Sequence, residues 1–519
     1  MTYTIEKVTT LIGARRYGDR DGNVGFILTD SRSLCFPEET LFFALKSERN
    51  DGHNYIPELY RRGVRNFVVS QVPKGYASDY PEANFLKVVN TLEALQRLAE
   101  RHRDEFNIPI VGITGSNGKT MVKEWLHQLL SPSMFVTRSP RSYNSQIGVP
   151  LSVWLLNEQT QVGVFEAGIS QPGEMLALRD IIQPTIAVLT YLGAAHQENF
   201  DSLEAKCREK IILFHDADTI VYNGDDKTVS GVVNEYKDYK GEKLFWSFRD
   251  TKAPFFVKNV EKKGNLSIIT YIYKGEEDSY SLPFIDEASV TNSIIAAVVS
   301  RRLGLSAEEL DKRMALLEPV AMRLEVKEGQ HGCTLINDSY NSDINSLDIA
   351  LDFMSRRPDH KGRRHTLILS DIFQSGESAK DLYHEVSDLC RKRGVVKFIG
   401  IGPQLCSQSD EIQISEKFFF SNVEEFIDSE VFKSLRDEVI LLKGARQFGF
   451  DQLTELLVRK VHETTLEVNL NAVVANLNYY RSFMKPETKL VCMIKADGYG
   501  AGAKIEFYFQ FLRNFLVLC

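Results

Sequence analysis

The chain lacks the features that mark membrane-spanning and secreted proteins. Among its 519 residues, no apolar run reaches the roughly 18 residues that a membrane-spanning helix needs. The first residues, Met-Thr-Tyr-Thr-Ile-Glu-Lys, do not form the charged and then apolar pattern of a signal peptide. We therefore expect a cytoplasmic protein without a membrane span.

Cysteine pairs and basic runs are also missing, which excludes further classes of protein. The seven cysteines are scattered and form no Cys-x-x-Cys pair, so neither a disulfide framework nor a zinc ribbon is predicted. The net charge is −8 and no long basic run occurs, so we expect no nucleic-acid partner. Small molecules are the expected partners.

What the chain does contain is a glycine-rich turn between two apolar segments. Residues 108–114 predict a buried strand and residues 121–130 a helix, and the turn between them ends in Gly118-Lys119-Thr120. At such a junction the free amides of the helix N-terminus can bind phosphate. We expect an ATP or GTP site in which Lys119 reaches the terminal phosphates and Thr120 holds Mg²⁺. The phosphate-binding residues of this prediction are Gly115, Ser116, Asn117, Gly118, Lys119 and Thr120.

The spacing of this turn leaves an alternative open. A standard nucleotide loop has a glycine six positions before the lysine, whereas this chain has Ile113 there. The alternative is a glycine-rich turn that binds no ligand.

Strands and helices alternate along most of the chain, which predicts an α/β fold. The first hundred residues predict a small αβ domain. In residues 108–316, apolar strands at 162–166, 185–189 and 219–222 are separated by helical segments, so we expect a mostly parallel sheet with the loop at its carboxyl edge. A second alternation begins near Val320 and predicts a further doubly wound domain, with strands at 334–336, 365–369, 396–401 and 439–442.

Two residues that suit a metal follow strands of the central sheet. Glu166 ends the predicted strand 162–166, and His196 comes just after the strand 185–189. A carboxylate beside a phosphate loop is where the Mg²⁺ of a nucleotide would be held. The alternative for each is an ordinary hydrogen-bonded loop residue.

Four ordered segments resemble the Mur ligases, which add amino acids to the peptidoglycan precursor. They are residues 112–120, Asn-Ser-Gln-Ile-Gly-Val-Pro at 144–150, Phe-Glu-Ala-Gly at 165–168 and Gly-Ala-Ala-His at 193–196. Asn-Asp-Ser-Tyr-Asn at 337–341 and Asp-Ser-Arg at 30–32 resemble the members that add D-alanyl-D-alanine. The resemblance covers roughly residues 20–460. It implies a small αβ UDP-precursor-binding domain at 1–105, a central parallel-sheet ATP-binding domain at 106–317 and a doubly wound αβ ligase domain at 318–460.

The resemblance also implies ATP and Mg²⁺ as cofactors and assigns residue roles. The implied catalytic residues are Lys119, Glu166, His196 and Lys210, and the implied metal ligands are Thr120, Glu166, His196 and Lys210, with Lys210 as a carbamate. For Lys210 the alternative is a solvated helix residue paired with a nearby Glu. Further nucleotide-binding residues would be Asn292, Arg323, Asp338, Tyr340 and Asn341, and substrate-binding residues would be Ser31, Arg32, Lys46, Asp51, His53 and Asn144.

Some positions depart from the family pattern or carry a second interpretation. Ala288 replaces a common histidine, Asn337 a common aspartate, and Asp343-Ile344 the common Asn-Pro. Asp371, Lys443 and Arg446 match segments implied to bind the incoming dipeptide or to close the domain. For Lys443 and Arg446, a surface salt bridge is an equal alternative.

The implied reaction is amide formation. ATP would phosphorylate the terminal carboxylate of UDP-N-acetylmuramoyl-tripeptide, and the amine of D-alanyl-D-alanine would attack the acyl phosphate. We expect a monomer. The alternatives are another Mur or folylpolyglutamate-type ligase, and a non-catalytic protein that binds ATP and muramyl precursors.

His-Glu-Thr-Thr-Leu-Glu-Val-Asn-Leu at 462–470 and Leu-Val-Cys-Met-Ile-Lys-Ala-Asp-Gly-Tyr-Gly at 490–500 resemble the start of alanine racemase, whereas residues 504–519 match nothing expected there. The resemblance implies that Lys495 would form the Schiff base with pyridoxal phosphate in a racemase-like segment at 461–519. This segment has about 60 residues, whereas a TIM barrel takes roughly 250. We therefore expect an incomplete TIM-barrel fragment without racemase activity, and pyridoxal phosphate as a cofactor only if the module were complete.

Overall fold

A computed structural model describes residues 2–47, 50–193, 199–236, 239–320, 324–339, 343–356, 362–372, 378–445 and 448–459, together with 480, 483, 491–493 and 516–518. The main ranges form two compact units, Thr2–Thr91 and Leu92–Arg459. No helix in these ranges is long and apolar enough to cross a membrane.

The unit Thr2–Thr91 is built on a five-stranded sheet. In spatial order the strands are Arg15–Tyr17, Asn84–Lys87, Asn66–Val69, Thr40–Phe43 and Phe26–Leu28, with the first pair antiparallel and the others parallel. Tyr3–Thr4 pairs separately with Asn23–Val24. The helices are Ile5–Leu11, Ile56–Arg61 and Tyr76–Asp79, and 3₁₀ turns cover Ser31–Ser33, Pro37–Glu39 and Gly52–Tyr55. Phe67 and Phe85 stack in the core with their ring centroids 5.4 Å apart.

A nine-stranded sheet forms the centre of the unit Leu92–Arg459. In spatial order its strands are Val136–Arg138, Val162–Glu166, Ile110–Thr114, Ile186–Leu189, Thr219–Asn223, Glu242–Ser247, Phe255–Lys263, Leu266–Tyr273 and Glu276–Leu282. The first seven are parallel and the last two antiparallel. The α/β class and the mostly parallel central sheet are confirmed.

Helices cover the central sheet, and the phosphate loop leads directly into one of them. They are Thr91–Arg103, Lys119–Leu130, Gly148–Val153, Glu174–Ile182, Leu203–Ile211, Lys227–Glu235, Glu287–Arg302 and Ala307–Met314, with a 3₁₀ turn at Ile212–Phe214. Two buried apolar clusters result, one around Trp125 and one around Phe165. The strand Ile110–Thr114 is buried throughout, as expected for a parallel strand with both faces covered.

The expected alternation of strands and helices fails at residues 255–282. Three strands follow one another there as antiparallel neighbours. Gly264 and Gly275 have φ angles of 61° and 83° and make the tight turns possible. Every second residue of Leu266–Tyr273 is buried, which is the pattern of a strand with one face on the core.

A six-stranded sheet lies at the end of the same unit. Its strands in spatial order are Glu325–Glu328, Thr334–Asp338, Glu438–Lys443, Arg364–Ser370, Lys397–Ile401 and Glu416–Phe420. Only the first pair is antiparallel. The helices are Ile344–Arg356, Ala379–Lys392, Pro403–Ser407, Val423–Asp428, Glu430–Lys433 and Phe450–Leu457, with 3₁₀ turns at Gln330–Gly332 and Ser409–Glu411. This arrangement agrees with the predicted doubly wound organisation.

In the segment that resembles a racemase, the short strands Val491–Met493 and Leu516–Leu518 pair in parallel. Lys495 and the rest of the predicted TIM-barrel fragment lie outside the described residues.

Candidate functional site

The glycine-rich turn has the backbone conformation that only glycine tolerates well. Gly115 and Gly118 have φ angles of 145° and 86°. A Cβ atom on Gly115 would lie 2.1 Å from Thr190 Oγ1, and one on Gly118 would lie 2.5 Å from Asn292 Oδ1. The loop therefore packs tightly against two other segments, and both glycines are needed for this packing.

Hydrogen bonds tie the turn to the end of the neighbouring strand. The Ser116 amide donates to Tyr191 O at 2.6 Å, and the Ser116 hydroxyl lies 3.0 Å from both the amide and the carbonyl of Gly193. Thr190 Oγ1 donates to Asn117 O at 2.5 Å. The loop is thus held in one shape by side chains and backbone of the adjacent strand.

Two polar atoms in and beside the loop are buried without a hydrogen bond in the described structure. Within the described structure, Asn117 Nδ2 and Thr114 Oγ1 have no hydrogen-bond partner. Buried polar groups without partners are rare, and a bound ligand is one way to satisfy them. Lys119 begins the helix, and its Nζ lies 2.7 Å from Gly115 O, directly over the loop. An amide donor, free helix amides and a lysine fit the phosphates of a nucleotide.

Beside the loop, Glu166 ends its strand as a fully buried carboxylate. Thr120 Oγ1 donates to Glu166 Oε2 at 3.2 Å and lies 3.1 Å from Ser142 Oγ, while Asn144 Nδ2 lies 3.4 Å from the same carboxylate oxygen. Carboxylate and hydroxyl oxygens are the ligands that Mg²⁺ prefers. The donors present therefore suit Mg²⁺, whose remaining ligands would be phosphate oxygens and water.

Lys123 is part of this arrangement and was missed by the sequence prediction. Its side chain is fully buried, and its Nζ lies 3.1 Å from Glu166 Oε1. It also donates to Ser139 O at 2.8 Å and to Arg141 O. Its position one helical turn after Thr120 places both residues on one side of the helix, which was the available signal.

Two more lysines approach the loop from the helix Leu203–Ile211. Lys210 Nζ lies 3.3 Å from Gly115 O, and Lys206 donates to Gly193 O. Burial lowers the pKa of Lys206 to about 8, and it lowers the pKa of Lys210 well below its ordinary value, with Lys119 and Lys206 adding repulsion. Lys210 is only 3% exposed, so the alternative of a solvated helix residue is wrong.

Only some of the predicted nucleotide-binding residues from later in the chain are among the described residues. Asn292 lies against Gly118, and its Nδ2 is 3.6 Å from Met121 Sδ. Asp338 forms a buried ion pair with Lys443, with 2.7 Å between Oδ2 and Nζ. The alternative of a surface salt bridge for Lys443 is therefore wrong. His196, Arg323, Tyr340, Asn341 and Arg446 lie outside the described residues.

Asp371 forms hydrogen bonds with the backbone of a neighbouring turn. Its carboxylate accepts hydrogen bonds from the amides of Gln404 and Leu405, at 3.1 and 2.8 Å. Burial raises the pKa of this carboxyl. Its implied roles in dipeptide binding or domain closure stay predictions.

The predicted substrate-binding residues divide into groups. In the unit Thr2–Thr91, Ser31 and Arg32 lie in one 3₁₀ turn, and Arg32 forms a two-pronged pair with Asp30. Lys46 Nζ lies 3.8 Å from Asp51 Oδ2, and His53 Nδ1 lies 2.6 Å from Asp51 Oδ1. These three side chains therefore form one cluster. Asn144 belongs to the other unit, beside Glu166.

The described residues contain no group of three or more His, Cys, Asp or Glu side chains that could hold a metal by themselves. A Mg²⁺ ion at Glu166 and Thr120 would therefore depend on ligands beyond the described side chains. This is the usual situation for Mg²⁺ bound together with a nucleotide.

Comparison with known proteins finds relatives along most of the chain. Residues 113–300 match the family model of the Mur ligase middle domain. A UDP-N-acetylmuramoyl-tripeptide–D-alanyl-D-alanine ligase of Bacillus subtilis is 28% identical over 368 residues, which are 69% of this chain and 76% of that protein. The protein of the same name from Buchnera aphidicola is 26% identical, and the match covers 89% of this chain and 99% of the relative.

Solved structures share the fold. MurF from Acinetobacter baumannii matches with a TM-score of 0.76 at 22% identity, covering 88% of this chain and 99% of that one. MurF ligase from Thermotoga maritima in complex with ADP matches with a TM-score of 0.69 at 22% identity, covering 83% and 96%. The α/β architecture with mixed, mostly parallel sheets is therefore that of these ligases.

Proposed function

We propose that this chain is an ATP-dependent ligase that adds D-alanyl-D-alanine to UDP-N-acetylmuramoyl-tripeptide in peptidoglycan synthesis. The observation that carries the proposal is a preformed phosphate loop whose Thr120 hydroxyl lies 3.2 Å from the buried carboxylate of Glu166. The name shared by relatives that match over most of their length supports the choice of substrates.

The phosphate loop and its neighbours supply the nucleotide site in this proposal. The amides of residues 115–120 and Lys119 hold the phosphates, while Thr120 and Glu166 hold Mg²⁺ together with His196. Bound Mg²⁺ neutralises charge on the phosphates and on the attacking carboxylate. Asn292, Arg323, Asp338, Tyr340 and Asn341 complete the nucleotide contacts.

The reaction itself depends on bringing three reactants together. The terminal carboxylate of the tripeptide attacks the outer phosphoryl group of ATP, ADP leaves, and the dipeptide amine then displaces phosphate from the acyl phosphate. Lys119 lies where it can neutralise the transferred group. We assign the muramyl precursor to Ser31, Arg32, Lys46, Asp51, His53 and Asn144.

We assign Lys210 the role of a carbamylated metal ligand. A lysine reacts with carbon dioxide as the neutral amine, and burial favours the neutral amine here by lowering its pKa. The carbamate would be an anion close to the phosphate loop. We also propose that the enzyme acts as a cytoplasmic monomer with the domains 1–105, 106–317 and 318–460.

The mass of the product tests this function. The full-length protein is incubated with ATP, Mg²⁺, D-alanyl-D-alanine and UDP-tripeptide that carries either lysine or meso-diaminopimelate. We expect one precursor to gain the mass of the dipeptide. If a shorter precursor gains a single amino acid instead, the chain is a different Mur ligase.

A variant separates catalysis from simple binding. Lys119→Ala should abolish phosphate release that depends on D-alanyl-D-alanine. The matched control is Lys227→Ala, because Lys227 is an exposed lysine at the first position of another helix of the same sheet. A wild-type protein that binds ATP and precursor but releases no phosphate would be a non-catalytic binding protein.

We further propose that residues 461–519 give no racemase activity. These residues by themselves are far fewer than the roughly 250 that a TIM barrel takes. Purified protein supplied with pyridoxal phosphate should show neither an imine absorbance band nor exchange of L- and D-alanine. Detecting both would contradict the proposal.

A further inference from the structure

Lys123 is a buried cation in direct contact with the carboxylate that we assign to Mg²⁺. Both side chains have no exposed surface, and Nζ lies 3.1 Å from Glu166 Oε1. A second carboxylate, Glu124, lies 3.0 Å from the same Nζ, and Glu124 also pairs with Arg138 at 3.0 Å. Two cations and two anions therefore form one network without net charge.

The hydrogen bonds of Lys123 go elsewhere, which leaves one oxygen of Glu166 available. The ammonium has three protons. It donates to Ser139 O and Arg141 O, and Glu124 lies within reach of the third proton. Within the described structure Glu166 Oε1 accepts no hydrogen bond. Its charge is thus balanced through space while its lone pairs stay free to bind a ligand.

Two further lysines contribute positive charge close to the phosphate loop. Lys119 lies over the phosphate loop and Lys206 approaches it from a second helix. The described part of the chain contains no group of three or more His, Cys, Asp or Glu side chains that could hold a metal by themselves. A divalent cation alone would meet a Glu166 carboxylate that is already paired with Lys123, whereas a polyphosphate would be attracted by Lys119 and Lys206.

We infer that Lys123 makes metal binding depend on nucleotide binding. By neutralising Glu166, Lys123 prevents a divalent cation from binding before the nucleotide, and the phosphates then bring both the negative charge and the missing ligands. Lys123 is a positioning residue in this scheme, because it acts through Glu166. The inference rests on the proposed function, since it takes Glu166 as the metal ligand.

Binding of Mn²⁺ to the full-length protein tests the inference without any turnover. Free Mn²⁺ is followed by electron paramagnetic resonance, with and without a non-hydrolysable ATP analogue. For the wild type we expect Mn²⁺ affinity to be at least tenfold higher with the analogue. For Lys123→Met without nucleotide we expect Mn²⁺ affinity at least tenfold above the wild type, because Glu166 is then an uncompensated carboxylate.

A second variant shows whether a gain of metal affinity depends on Glu166. The double variant Lys123→Met/Glu166→Gln should lose the gain, and Lys227→Met, at an exposed lysine, should leave wild-type behaviour unchanged. Wild-type protein that binds Mn²⁺ equally well with and without nucleotide would overturn the inference. If the fluorescence of a labelled nucleotide shows no binding at all, the proposed function fails instead.

Discussion

At the scale of single residues, two glycines share a backbone conformation but differ in surroundings. Gly118 and Gly173 both have φ angles of 86°. A Cβ atom on Gly118 would meet Asn292, whereas one on Gly173 would have nothing within 4 Å. Alanine at either position carries the strain of a left-handed conformation, about 1–2 kcal/mol. Only Gly118→Ala adds a steric clash inside the phosphate loop.

We therefore expect Gly118→Ala to weaken nucleotide binding more than tenfold and Gly173→Ala to change it less than twofold. Titration with a fluorescent nucleotide measures the affinities, and urea unfolding measures the strain that both variants share. Equal loss of affinity in both variants would show that strain, not the contact with Asn292, controls the loop.

Lys206 gives a pH dependence of stability with a definite sign. Burial lowers its pKa from 10.5 to about 8. Between these values the unfolded chain still holds a proton that the folded protein has lost, so this group makes the free energy of unfolding rise with pH. The slope is at most about 1.4 kcal/mol per pH unit.

The difference between wild type and Lys206→Met isolates this contribution. We expect the free energy of unfolding of the wild type, relative to the variant, to increase from about pH 8 to 10.5 in urea titrations. A difference that stays constant or falls over this range would contradict the assignment.

The sequence predicted several site residues but not their partners. The order of strand, glycine-rich turn and helix placed Lys119 and Thr120 at the phosphate loop, and the position of Glu166 at the end of another strand of the sheet placed it beside them. Lys123 was missed, because the burial of a charged side chain depends on a partner from a distant strand. The buried ion pair between Asp338 and Lys443 was not predicted for the same reason.

At the scale of elements, the helix Glu287–Arg302 carries Asn292 to the loop and begins with a buried cap. Asp286 Oδ1 accepts a hydrogen bond from the Ser289 amide at 2.8 Å. Its other carboxylate oxygen has no hydrogen-bond partner in the described structure. Burial raises the pKa of Asp286, so at pH values between the unfolded and the folded pKa the folded protein binds a proton that the unfolded chain has released.

Ionisation of the buried Asp286 carboxyl should therefore lower the free energy of unfolding, whereas the hydrogen bond that its Oδ1 accepts should raise it. Asp286→Asn keeps the accepting oxygen, and we expect it to be more stable than Asp286→Ala by about 1 kcal/mol. Relative to the Asn variant, the wild type should lose stability as the pH rises above 3.8, the ordinary pKa of this carboxyl, because the group must then ionise while buried. Urea unfolding at several pH values checks both expectations. An Asn variant no more stable than the Ala variant would show that the hydrogen bond of residue 286 to the Ser289 amide does not stabilise the helix.

Elements with strong apolar patterns were predicted to within one or two residues. The strands Val162–Glu166, Ile186–Leu189 and Thr219–Asn223 are examples. The antiparallel strands within residues 255–282 were not predicted. Phe255–Lys263 and Glu276–Leu282 carry several charged residues, which give a weaker signal than a continuous apolar run. Leu266–Tyr273 is a largely apolar, β-branched segment that the prediction overlooked.

At the scale of the whole molecule, the contacts described above for the phosphate loop join residues of the unit Leu92–Arg459. We expect a fragment of residues 92–459 to bind a fluorescent ATP analogue within about twofold of the full-length affinity. It should not bind UDP-N-acetylmuramoyl-tripeptide, because Ser31, Arg32 and the Lys46–Asp51–His53 cluster are absent. Calorimetric titrations measure both affinities, and a folded fragment that fails to bind nucleotide would contradict the prediction.

The hydrogen bonds of the phosphate loop to Thr190, Tyr191 and Gly193 also affect the kinetics of ligand binding. These bonds form when the chain folds, so the loop has lost its conformational entropy before any ligand arrives. A nucleotide then meets a rigid receptor, and little of its binding free energy is consumed in ordering protein. Association should accordingly follow a single exponential whose rate constant grows linearly with ligand concentration, as expected for docking without a rearrangement step.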